Sequence, residues 1–134
     1  MKTRLLLLGS GLIAACYLSA TATTAHAQDP LVVNSSTIKL KFENERVRVM
    51  EATLPPGAKE QMHSHPAYVI YVLEGGRYRN HAADGKTSEG EFKTGDVIYR
   101  DPLTHFAENI GDKPMHLLLV ELKDPRAGDA SPHG

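Results

Sequence analysis

The sequence contains no tryptophan, a single cysteine and few aromatic residues, 6% of the chain. One cysteine, Cys16, excludes an internal disulfide framework, so a folded unit must be held by packing or by a bound metal. The 15 Lys and Arg residues stand against 16 Asp and Glu, for a formal net charge of −1. No basic stripe breaks that balance, which argues against a nucleic-acid partner. Sustained helical periodicity and internal repeats are missing too, so helical bundles and solenoids drop out.

What is present begins with a leader. Met1-Lys2-Thr3-Arg4 is a short basic region, residues 5–18 are mostly apolar, and Ala25-His26-Ala27 is an Ala-x-Ala cleavage site. This pattern predicts a secretory signal peptide over residues 1–27, cleaved before Gln28. A rival pattern, Ile13-Ala14-Ala15-Cys16, would acylate Cys16 and tie the protein to a membrane. Both patterns predict export, to a periplasmic or secreted location. Without Lys2 and Arg4, 13 basic residues face 16 acidic ones, a net charge near −3.

Residues 28–36 are polar and contain Pro30, and they read as a flexible N-terminal arm or an edge strand. From there the chain is a succession of short extended segments. Residues 37–42 alternate Ile38, Leu40 and Phe42 with Lys39 and Lys41, and residues 45–54 alternate Val47 and Val49 with Arg46 and Arg48. Turn signals at Pro55-Pro56-Gly57, Asp84-Gly85, Gly95-Asp96 and Gly111-Asp112 separate the rest. Residues 115–122 are a near-continuous apolar run, the mark of a central strand. Residues 124–134 are rich in Gly, Pro, Asp and Ser and read as a disordered tail, with His133 incidental to it. The folded unit is therefore expected to be an all-β domain over residues 37–123.

The chemistry centres on His63-Ser64-His65. A strand repeats its side-chain direction every second residue, so both imidazoles leave one face and can grip one ion. Taken alone, such a pair is more often a solvated strand face than a ligand pair. A distant partner, His105, changes the balance, with Asn109 four residues beyond it. Parity also points Gln61 to the side of His63 and His65. His116, set among Met115 and Leu117–Val120, reads as a core or pocket-lining histidine, and His81 as a solvated one.

The spacing of these residues resembles two motifs of the cupin superfamily. Gly57, His63, His65 and Gly75 follow the first motif, and Gly95, His105 and Asn109 the second. Two departures stand out: Tyr68 occupies the position of the family's metal-binding glutamate, and Asp101-Pro102-Leu103 replaces Pro-x-Gly. The resemblance implies a jelly-roll barrel, the double-stranded β-helix, with His63, His65 and His105 holding one divalent transition metal such as Fe, Mn, Ni, Zn or Cu. It also implies a small-molecule ligand or substrate and pairing into a homodimer through an edge strand. Tyr68 is then a candidate catalytic proton donor or weak ligand, and Gln61, Asn109 and His116 are candidate pocket residues. Two function classes stay open. One is a metal-dependent enzyme, dioxygenase-like or a lyase or isomerase; the other is a non-enzymatic exported protein that sequesters a metal or small ligand. Convergent polar groups beside the histidines favour the first, and a closed apolar pocket the second.

Overall fold

A computed structural model describes residues 28–123 of the chain. Residues 1–27, with Cys16 and the predicted leader, and residues 124–134, with His133 and the predicted tail, lie outside the described residues. Nine strands follow one short helix: α1 (Pro30–Val33), β1 (Ile38–Glu43), β2 (Val47–Leu54), β3 (His63–His65), β4 (Tyr68–Glu74), β5 (Gly76–Ala82), β6 (Thr87–Phe92), β7 (Val97–Arg100), β8 (Leu103–Asn109) and β9 (Met115–Leu122). No helix among the described residues is long and apolar enough to cross a membrane. The strands form two antiparallel sheets, a five-stranded one in the order β1-β2-β9-β4-β7 and a four-stranded one in the order β3-β8-β5-β6. This is the expected all-β double-stranded β-helix.

The period-two pattern of the strands decides what fills the space between the sheets. On β9, Met115, Leu117 and Leu119 turn inward, and His116, Leu118 and Val120 turn away. The inward residues meet Met50, Ala52 and Leu54 of β2 and Tyr68, Ile70 and Val72 of β4 in one buried cluster. As its apolar run foretells, β9 is central, flanked by β2 and β4. Gly57 and Gly85 sit at their turns with φ of 75° and 84°, a left-handed conformation open to glycine at little steric cost.

The arm departs from expectation. Asp29 caps α1 by accepting the Leu31 N–H, and Pro30 occupies the first turn, where its missing N–H does no harm. The segment is thus neither an edge strand nor loose: Pro30 and Asn34 are buried, and the Ser64 N–H donates to the Gln28 carbonyl. Asn109 also departs from its pocket role. It points to the closing turn, where its Nδ2 donates to the Leu54 and Lys113 carbonyls and its Oδ1 accepts from the Gly111 N–H.

Asn109 is fully buried, so removing its amide strands three backbone partners. Asn109→Ala is expected to lower stability by roughly 3 kcal/mol in urea unfolding. A loss under about 0.5 kcal/mol would contradict this role.

Candidate metal centre and cavity

Strand pairing assembles the histidines. β3 and β8 are neighbours, and His63 stands directly opposite His105 in their register. The third imidazole therefore comes from the adjacent strand of the same sheet. All three rings face inward and are buried. One ring nitrogen from each lies within 4.8 Å of the others. The His63 and His65 Nε2 atoms are 2.9 Å apart, and the buried His105 Nε2 has no hydrogen-bond partner.

The opposite nitrogens are anchored. His65 Nδ1–H donates to Glu121 Oε1 at 2.6 Å, and His105 Nδ1–H donates to Asn80 Oδ1 at 2.5 Å. His63 Nδ1 lies 2.8 Å from the Gln61 carbonyl and 2.9 Å from Asn34 Nδ2, so an acceptor and a donor are both at hand. Glu121 is the last inward residue of the β9 row and also accepts from Arg48 Nε at 2.7 Å. Burial would raise Glu121, yet the bonds from His65 and Arg48 hold it below the usual carboxylate range. Anchoring Nδ1 aims Nε2, the arrangement found around metal-ligating histidines. Three converging Nε2 atoms fit a divalent cation, and imidazole suits Fe, Ni, Zn and Cu.

The histidines open onto a cavity of about 260 Å³ between the sheets. Its walls are largely apolar, but Glu60, Tyr68, Tyr78, Asn80 and Arg100 also line it. Tyr68 faces inward and stacks on His65 at 4.5 Å between centroids. Burial pushes its hydroxyl up, so it stays a neutral phenol.

Glu60, just before β3, carries no motif or strand signal in the sequence. Its Oε2 accepts the Ala107 N–H at 3.0 Å and lies 4.0 Å from His63 Nε2. Burial pushes it up to about 7, against that N–H, which lowers it. Parity pointed instead to Gln61, but β3 starts only at His63. Asn34 holds the Gln61 backbone at both its N–H and its carbonyl, and the Gln61 side chain is exposed. His116 lies outside the cavity as well: it turns outward on β9 and pairs with Glu51. His81 is half-buried, stacked on Phe106 and bonded to Glu108, rather than freely solvated.

These shifts fix a pH dependence for the metal-free protein. Burial holds His63 at about 4 and His105 at about 3, against an ordinary 6.5. The unfolded chain then takes up protons that the folded site refuses, so stability is lost as pH falls from about 6.5 through those values. Glu60, raised from 4.5 to about 7, works the other way and loses stability as pH rises through that window. Two histidines outweigh one carboxyl, so stability is expected to fall by roughly 1 kcal/mol per pH unit from about 6.5 to about 4.5. Urea midpoints that stay flat or rise on acidification would contradict it.

The chain is 34% identical over 83 residues to an oxalate decarboxylase of Bacillus subtilis, a match covering 59% of this chain and 21% of that protein. It therefore spans about a fifth of that relative's length. Among solved structures, a cupin domain from Bordetella pertussis superposes with a TM-score of 0.60 at 25% identity, over 65% of this chain and 92% of that one. A protein with a double-stranded β-helix domain from Klebsiella pneumoniae gives a TM-score of 0.53 at 24% identity, over 63% and 74%, a likeness of fold. The family model described as "Cupin domain" matches residues 50–121, more than half of the chain, and with the paired histidine strands in view the chain belongs to the cupin family.

Proposed function

We propose that this cupin is a metal-dependent enzyme that acts on a small molecule held in its barrel. The observation that carries the reading is the convergence of the His63, His65 and His105 Nε2 atoms, one of them buried without a partner, on a cavity that polar groups share. When bound, a divalent ion there supplies Lewis-acid or redox chemistry and leaves positions for substrate. The chain's own groups supply the proton handling. Glu60, held near neutral pH, takes or gives a proton beside His63. Tyr68, a neutral phenol stacked on His65, donates a hydrogen bond into the cavity. Glu121, Asn80 and Asn34 keep the imidazoles in place.

Polar groups that share the cavity with the histidines favour an enzyme over a sequestering protein, whose pocket would be apolar. The oxalate decarboxylase relative supports lyase-type chemistry beside the dioxygenase-like option. The leader pattern of residues 1–27 supports action in the periplasm or outside the cell. The edge strands of the larger sheet, with Leu40 and Phe42 on β1 and Val97 and Tyr99 on β7 exposed, support pairing of two copies.

Metal analysis of untagged protein, purified without chelators, is expected to find one equivalent of a divalent transition ion. His63→Ala and His105→Ala are each expected to weaken binding by more than about a hundredfold, beyond the loss typical of an outer partner. His116→Ala is expected to keep full occupancy, and Tyr68→Phe to keep it as well, since a neutral phenol is a poor ligand. Wild-type occupancy in His63→Ala would sink the reading.

A further inference from the structure

Arg100 is an anomaly of the barrel interior. It ends β7, an edge strand whose Ile98 and Arg100 turn inward while Val97 and Tyr99 face solvent. In the β4–β7 register it stands beside Tyr68, so its side chain leaves the face that lines the cavity. Among the described residues it is the only Lys or Arg in the cavity lining. Other inward or half-buried arginines are matched: Arg48 pairs with Asp29 and Glu121, and Arg79 with Glu89 and Glu108. No described carboxylate comes within ion-pair distance of Arg100; among the described residues its one side-chain hydrogen bond is Nη2–H to the Tyr78 hydroxyl, long at 3.4 Å.

A guanidinium offers five N–H donors in a planar fork, and a lone phenol occupies at most one of them. Turning such a group towards an apolar cavity costs free energy unless an anion meets it. Tyr78 is built to steady it: the ring stacks on Phe92 at 4.2 Å, and Gly90 leaves the room it needs, since a Cβ there would stand 2.6 Å from the Tyr78 hydroxyl. Arg100 lines the same cavity as His63, His65 and His105, so the guanidinium belongs to the same enclosure as the histidines.

We propose that Arg100 is the anchor for a substrate carboxylate, so that the ligand is a small organic acid whose carboxylate sits on the guanidinium while its body faces the histidines. This rests on the reading of the cavity as a substrate site. One planar fork matches the two oxygens of one carboxylate. The apolar remainder of the wall, including Ile70, Phe92, Leu117 and Leu119, suits a short hydrocarbon body. A cavity of about 260 Å³ excludes polymers and large cofactors.

Titration calorimetry with benzoate, its near-isosteric neutral partner benzamide and inorganic phosphate tests the assignment, on zinc-loaded full-length protein with zinc content measured in parallel. Benzoate is expected to bind on the order of tenfold to a hundredfold more tightly than benzamide, the span of a charge-assisted bidentate contact. Arg100→Gln is expected to bring benzoate down to the benzamide level with zinc content unchanged. Equal binding of benzoate and benzamide by the wild-type protein would overturn the proposal without recourse to any variant. So would benzoate affinity that survives in folded Arg100→Gln, since the metal alone would then hold the acid. Tighter, Arg100-dependent binding of phosphate would overturn the carboxylate class. Benzoate binding that depends on Arg100 in protein that retains no zinc would uphold the anchor and defeat the metal reading, so the two fail separately.

Discussion

An imidazole has two nitrogens, and fixing one aims the other; the site depends on that constraint at His63, His65 and His105. The anchors come from different parts of the chain. Glu121 arrives from β9 in the opposite sheet, Asn80 from β5 beside β8, and the Gln61 carbonyl with Asn34 from the segment before β3 and the arm. Orienting the three rings thus takes both sheets and the N-terminal arm together. Burial does the rest, since it keeps His63 and His105 neutral, the form in which imidazole ligates.

The same burial leaves the ring nitrogens only one another to face. With His65 Nδ1–H committed to Glu121, its Nε2 presents a lone pair to the His63 Nε2 2.9 Å away. A proton on His63 Nε2 relieves the clash, and Asn34 can then donate to the freed Nδ1. A cation relieves it more fully, for it meets all three nitrogens, including the orphaned one of His105. The chain Asp29–Arg48–Glu121–His65 carries the arrangement to the barrel end, and each charged member has a partner. Such networks hold geometry; replaced by apolar groups they often cost little stability. Their presence at the histidines speaks for placement.

Period two made much of this legible in the sequence. His63 and His65 share a face because the strand alternates, and Gly57 and Gly85 stand where turns need a positive φ. The alternation of β9 also holds information that the length of its apolar run conceals. Counting by twos from Met115 ends on Glu121, the partner of His65, and puts His116 outside. The same count along β7 leads from Ile98 to Arg100. Glu60 was beyond such a count, because residues 59–62 are an irregular approach to β3 and parity fails there. The arm carried its own local signal in Asp29-Pro30, a cap followed by a first-turn proline, but nothing local tells that Asn34 reaches His63. Contacts between residues far apart in sequence are set by how strands pair, and strand order does not follow from any one strand.

The central claim is that the three rings carry their protons on Nδ1 and offer Nε2 to a common ion. Nitrogen-15 NMR of the imidazole rings, before and after adding one equivalent of zinc to the metal-free protein, tests it directly. The account predicts that with zinc His63, His65 and His105 all stand in the Nδ1–H form and their Nε2 resonances move together, while His81 and His116 do not move. Ligation through Nδ1, or a response confined to His81 or His116, would contradict it.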